Sequence, residues 1–193
     1  MPRAGLSREG VFDRAQAIAD AHGLEALDLT ALASACGVRK PSLYKHVDGL
    51  PDLLSELAAR GYEGLRAAVD GEATTAGAAR AWRRFAQEHP GLYAAAVPTH
   101  TTRSGRAREA AEAALAVLLD RLRQEGLGPD DAVHAARALR SLIHGFVELE
   151  RAGGFGLAAP VDESFERALA ALLAGLGLGS PSGGPLADGS AQR

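Results

Sequence analysis

Between two short stretches of helical periodicity the chain places Gly37 and Val38, inside a segment, residues 28 to 54, that reads DLTALASACGVRKPSLYKHVDGLPDLL. Asp28 is a good N-cap for the first stretch, and Leu29, Leu32 and Ala33 fall on one helical face. Gly37 can take positive φ just past a helix end, where a Cβ is penalised, and Val38 can plug the angle between two helices. Pro41 suits the first turn of the second stretch, where a missing N–H costs nothing. Leu43 and Val47, four residues apart, face inward, which leaves Lys40, Ser42, Tyr44, Lys45 and His46 outside. Two short helices joined at a steep angle by a tight turn form the helix-turn-helix pattern, and a short, polar, cationic outer face on the second helix points to DNA.

Charge is distributed to suit that reading only locally. The 193 residues carry a net charge of −3, and residues 1 to 49 balance Lys and Arg against Asp and Glu. Arg39, Lys40, Lys45 and His46 nevertheless cluster on one short helix, while Glu9, Asp13, Asp20 and Glu25 precede it. A small basic face on a neutral domain gives modest affinity per half-site and favours a dimer. No run is long and apolar enough for a membrane span, and MPRAGLSREG lacks the apolar stretch of a signal peptide, so a soluble cytoplasmic protein is expected. With Cys36 the only cysteine, no internal disulfide can form.

The rest of the chain reads as helices broken by Gly and Pro. Ser7 can cap a helix to about His22 with Val11, Phe12, Ala15, Ile18 and Ala19 on one stripe, ended by Gly23. Pro51 is expected to begin a long helix whose far end Gly61 and Gly64 weaken, and DGEATTAG to interrupt near residues 70 to 76. A helix with Trp82, Phe85 and Ala86 follows, stopped by His89-Pro90-Gly91, then a short apolar element, the loop PTHTTRSG and a helix closed by Gly126. Pro129 and Asp130 start another long helix, and a last one runs from about Asp162 to Leu176. There are no period-2 strands and no internal repeat. The fold class is therefore all-α, with a helix-turn-helix domain over 1–50, a helical domain over 51–176 and a disordered tail over 177–193, where Gly, Ser and Pro offer little to bury.

Chemistry beyond DNA contact is sparse. Cys36 sits where a small apolar residue is wanted, so a buried, inert thiol is expected rather than an oxidant sensor. His144 and Glu148 share a helix face, but His89, His100 and His134 have no spacing that would complete a metal site, and no metal or cofactor is expected. No phosphate loop, nucleophile elbow or HExxH pattern appears, and an enzyme is not expected.

ALASACGVRKPSLYKHVDGLPDLL resembles the signature of the TetR family of bacterial one-component repressors. HPGLY and SLIHGFVELERAGGFG are similar to segments in one group of TetR-like C-terminal domains. The resemblance implies a homodimer that binds a palindromic operator with its first three helices, encloses a small-molecule effector in its body and pairs its last two helices across a two-fold axis. By position it puts Lys40 and Pro41 at bases, Ser42, Tyr44 and His46 at phosphates, and Thr30 facing the groove, with Arg39 and Lys45 adding charge. A largely apolar effector pocket is then expected from Tyr62, Trp82, Phe85, Tyr93, Leu119, Ile143, His144 and Phe146, although aromatics in a small chain are usually core. Leu139, Val147, Phe165, Leu169, Leu172 and Leu173 are expected at the dimer interface, because apolar residues cover more than one stripe of these helices. Leu50 stands where the family commonly has Lys, and Asp28 where it often has Ser or Thr. Those departures leave an alternative open: a helical interaction protein of the same fold that has lost DNA binding or responds to a protein partner.

Overall fold

The computed structural model describes residues 6–97 and 105–178, and every regular element among them is helical. Helix α1 (Arg8–His22) starts where the Ser7 hydroxyl accepts a hydrogen bond from the Gly10 amide at 3.1 Å and stops at Gly23, whose φ is 86°. A 3-10 turn over Leu24–Ala26 leads to α2 (Leu29–Ala35). Asp28 caps α2, its Oδ1 accepting from the Thr30 amide at 2.5 Å and the Ala31 amide at 2.8 Å. The turn after α2 is closed by two backbone bonds, Gly37 N to Ser34 O and Val38 N to Ala33 O, both 3.0 Å, with Gly37 at a φ of 66°. This is the double-bonded helix end that only a residue tolerant of positive φ completes without strain.

Helix α3 (Lys40–Leu43) is a single turn with Pro41 near its start, extended by hydrogen-bonded turns in which His46 N and Val47 N both donate to Leu43 O. The long α4 (Leu50–Asp70) begins one residue before Pro51. It is followed by α5 (Thr75–Glu88), α6 (Pro90–Ala96), α7 (Gly105–Gln124), α8 (Pro129–Arg151) and α9 (Val161–Gly175). One apolar cluster joins α1–α3 to α4 and to parts of α5, α6 and α7, so it crosses position 50, the expected domain boundary. A second cluster lies among α5, α7, α8 and α9, with Tyr93 of α6.

Gly61 and Gly64 do not weaken α4, which runs on to Asp70. They are instead where neighbours come closest: a Cβ at Gly61 would lie 2.6 Å from the Leu92 carbonyl oxygen, and one at Gly64 would lie 2.6 Å from the Phe85 ring. The stop expected at His89-Pro90-Gly91 is where α5 ends, at Glu88 with His89 as its C-cap, and Gly91 itself lies inside α6 and lets it touch the α1 backbone, since a Cβ there would sit 2.4 Å from Ala19 C and 2.5 Å from Asp20 N. The Gly91 amide donates to Asp20 Oδ1 at 2.8 Å. In each case tertiary contact, not propensity, sets the need for glycine.

The last two helices bury most of the apolar residues expected to face a partner. Leu139, Phe165 and Leu169 are each 1% exposed, and Val147 and Leu173 are also buried, so all five fill the chain's own second cluster. Leu172 alone of the set is half-buried. The tail expected from 177 does not start there, because Leu178 is buried and its amide donates to Leu173 O at 2.8 Å, with Gly177 at a φ of 71° closing α9. The remainder of that tail, 179–193, and most of the expected loop PTHTTRSG lie outside the described residues.

Gly91→Ala is expected to destabilise the fold by about 1–3 kcal/mol, because the colliding atoms are backbone and cannot rotate away; a urea midpoint equal to that of the parent would refute the contact. Asp28 gives an acid-side test. Its carboxyl is held below the ordinary 3.8 chiefly by the bonds from Ala31 and Thr30, so its stabilisation is present above that pH and is lost as pH falls through the lowered value. The stability gap between the parent and Asp28→Ala should therefore close in acid, as followed by urea unfolding at a series of pH values.

Candidate functional site

The helix-turn-helix exposes the residues that its sequence sets apart. Leu43 and Val47 are buried at 0% and 1%, which pins one side of α3 and its following turn to the core. Thr30, Arg39, Lys40, Pro41, Tyr44 and Lys45 are exposed, with Ser42 and His46 partly so, and the Tyr44 ring is 57% exposed. Among the described residues Arg39, Lys40 and Lys45 make no ion pair. This separates them from arginines committed to the scaffold. Arg8 hydrogen bonds the His46 carbonyl at 2.5 Å and pairs with Asp52 at 3.5 Å, tying α1 to the end of the recognition segment and to the first turn of α4. Arg60 of α4 reaches Asp13 at 2.8 Å and Glu9 at 2.5 Å, with its guanidinium 5.5 Å from the Phe12 ring centroid. Asp28 also feels the Lys40 charge, but its oxygen is already taken by the α2 amides.

Cys36 is partly buried rather than fully enclosed, and burial pushes its thiol up despite nearby Arg14. A raised thiol pKa means little thiolate and low reactivity, in line with the inert thiol expected.

A cavity of about 460 Å³ lies between α4, α5, α6, α7 and α8. Four of the residues expected around a pocket line it: Tyr62, Trp82, Tyr93 and Leu119. Leu65, Val69, Ala96, Val97, Leu115, Leu118, Val133 and Ala136 complete much of its apolar wall. Tyr62 Oη donates to the Ala96 carbonyl at 2.7 Å and so links α4 to the end of α6. Burial pushes the Tyr93 hydroxyl up to about 12.

The other four expected members do not line the cavity: Phe85 and Ile143 are buried in the core, and His144 and Phe146 are half-buried. Phe85 is buried against Gly64, with its ring centroid 5.0 Å from that of His89. Ile143 is 0% exposed within the second cluster. Phe146 lies 5.3 Å from both Phe155 and Phe165, edge-on to the latter. His144 is set behind the wall, with Nδ1 3.4 Å from Tyr93 Oη. No group of three or more metal-binding side chains is found among the described residues. The cavity wall also holds Arg66, Arg108, Glu112, Arg137 and Arg140, none of which is singled out from the sequence. The signal that could have found them is the i, i+3 spacing of Arg137 and Arg140 beside apolar Val133 and Ala136.

A helix-turn-helix head with an unpaired basic face, joined to a helical body with a cavity, defines a DNA-binding transcriptional regulator. Residues 75–172 match the family model described as Tetracyclin repressor-like, C-terminal domain. The chain is similar to the uncharacterized HTH-type transcriptional regulator YobS of Bacillus subtilis (strain 168), 34% identical over 185 residues that span 91% of this chain and 95% of YobS. It is also 34% identical over 168 residues to the uncharacterized HTH-type transcriptional regulator Rv0681 of Mycobacterium tuberculosis (strain ATCC 25618 / H37Rv), covering 78% of this chain and 72% of that one. In fold it matches TetR-Q116A from Acinetobacter baumannii AYE, solved in complex with minocycline, with a TM-score of 0.70 at 22% identity over 89% of this chain and 97% of the other. The protein therefore belongs to the TetR family of transcriptional regulators.

Tyr93 gives an alkaline test of the cavity wall. Its folded value of about 12 exceeds the ordinary 10.0, so its contribution is complete below pH 10 and is lost as pH rises toward 12. Tyr93→Phe should lose less stability than the parent across that window. Parallel losses in urea midpoint would contradict the burial of the hydroxyl.

Proposed function

We propose that this protein is a homodimeric repressor, acting in the cytoplasm, that binds a palindromic operator and is released by a small molecule held in the cavity. Residues 1–50 serve as the DNA-binding domain and 51–176 as the effector-binding and dimerisation domain. The observation that carries the reading is the face formed by unpaired Arg39, Lys40 and Lys45 with the exposed Tyr44, on a segment fixed from behind by buried Leu43 and Val47. Such a face presents charge to phosphates and a short run of side chains to base edges. Support for an effector comes from the cavity and from the neighbour of like fold that holds minocycline.

Dimerisation uses the outer surfaces of α8 and α9 rather than their buried leucines. Leu149 is 48% exposed there, Leu172 is half-buried, and nothing lies within 4 Å of where a Cβ would stand at Gly145 or Gly175. Small residues on exposed helix faces allow a second pair of helices to approach closely. Release is a population shift: the effector favours a state in which the two recognition segments are wrongly spaced for the operator. Taking DNA occupancy from nearly full to nearly empty requires about 10⁴-fold differential affinity between the two states, which a formed cavity can supply.

One feature favours a second reading, an interaction protein of the same fold that no longer binds DNA. Asp28 occupies the amides at the start of α2, and Leu50 begins α4 without a cation.

Selection of bound sequences from random duplex DNA separates the two. The repressor reading expects a palindrome with half-sites about one helical turn apart. Tyr44→Ala should then weaken binding to all sequences, and Lys40→Ala should relax preference at one position by about 1–3 kcal/mol. Absence of any enriched sequence would favour the second reading.

A further inference from the structure

The cavity wall is apolar but its charge is one-sided. Of the charged side chains around it, Arg66, Arg108, Arg137 and Arg140 face a single carboxylate, Glu112. That carboxylate is already engaged, accepting from Arg108 Nε at 2.7 Å. Among the described residues Arg66 and Arg137 make no ion pair, and Arg140 makes only a 3.3 Å hydrogen bond to the Val97 carbonyl. Unpaired guanidinium groups thus gather around one cavity in a chain whose net charge is −3.

Placement of these groups gives the cavity two ends. Arg66, Arg137 and Arg140 are exposed residues, so their charges stand at the mouth, while Leu65, Leu118 and Tyr93 behind them are buried. Arg137 and Arg140 are neighbours at i, i+3 on α8, and Arg66 approaches from α4. The charge of Arg140 reaches inward: burial raises the Tyr62 and Tyr93 hydroxyls, and Arg140 draws both back toward ionisation.

We propose that the cavity selects a planar apolar molecule bearing an anionic oxygen group, with the ring system against Trp82 and Tyr93 and the anion held at the mouth by Arg137 and Arg140. Guanidinium groups suit this role because their fork of N–H donors matches a carboxylate or sulfonate and their charge persists at any physiological pH. The inference rests on the reading of the cavity as an effector site and adds the chemical class of the effector.

The test uses the full chain and two matched probes, 1-anilinonaphthalene-8-sulfonate and its neutral counterpart N-phenyl-1-naphthylamine, titrated separately. Trp82 is the only tryptophan and lines the cavity, so energy transfer from it registers a bound probe. The sulfonate is expected to bind about tenfold tighter than the neutral probe. Arg137→Gln combined with Arg140→Gln should erase that difference while leaving the neutral probe unchanged, and Arg167→Gln, on α9 and paired with Glu163, should leave both unchanged. Arg140→Lys, which keeps the charge without the fork, should fall between the parent and the double variant. Equal affinity for the two probes, or a preference that survives in the double variant, overturns the anion selectivity and leaves the cavity reading standing. No energy transfer to either probe overturns both.

Discussion

Helices α6 and α1 meet with backbone against backbone, and the rest of the architecture is arranged around that contact. Gly91 has no room for a methyl group beside Ala19 and Asp20, and its amide is held by the Asp20 carboxylate. The helix that begins the DNA-facing head therefore has one admissible distance from a helix whose other end, at Ala96 and Val97, forms part of the cavity wall. Tyr62 fixes that other end by donating to the Ala96 carbonyl, and Gly61 admits the Leu92 carbonyl against α4. With no side chain to flex between them, a displacement of α6 has to be met by its neighbours moving as units.

Arginine is used in two distinct ways, which explains how an acidic chain presents a basic face. Arg60 and Arg8 are spent inside the head, on Glu9, Asp13, Asp52 and the His46 carbonyl. In the body, Arg83 joins α5 to α8 and α9 by bonding Glu150 and Asp162 while lying 4.7 Å from the Phe165 ring centroid, and Arg80 grips Glu166 with two parallel bonds. Glu9, Asp13 and Asp52 are thus neutralised within the scaffold, and among the described residues Arg39, Lys40 and Lys45 of α3 and its flanks make no ion pair. Net charge conceals this division because it does not distinguish a paired arginine from an unpaired one.

Much of the fold was legible because its signals are local. Ser7, Asp28, Gly37 and Pro41 specify caps and turns through their own backbone chemistry, and the structure uses each as its chemistry suggests. Gly61 and Gly64 do not weaken α4 as their propensity suggests, and Gly91 does more than help end α5, since the purpose of all three is a neighbour distant in sequence. The same limit applied to the leucines of α8 and α9: periodicity showed that they would be buried but not against what, and the answer was the chain's own α5 and α7. Of the residues expected around a pocket, Tyr62, Trp82, Tyr93 and Leu119 line the cavity and Phe85, Ile143, His144 and Phe146 do not, because a fraction of a turn about a helix axis decides which neighbour a side chain faces. The arginines at the cavity mouth were missed for the opposite reason, as charged residues on a helix face ordinarily indicate solvent.

The sparseness of free charge on the head bears on how such a protein would travel in a crowded nucleoid. Arg39, Lys40 and Lys45 limit the number of counterions each chain can displace from a duplex, and the amides of α2 are occupied by Asp28 rather than offered to phosphate. On the repressor reading proposed above, fewer displaced counterions would mean weaker attachment to arbitrary sequence, with shorter residence at wrong sites and less one-dimensional sliding. Such a search would proceed by repeated excursions through solution, and base-edge fit would distinguish a correct site from the rest.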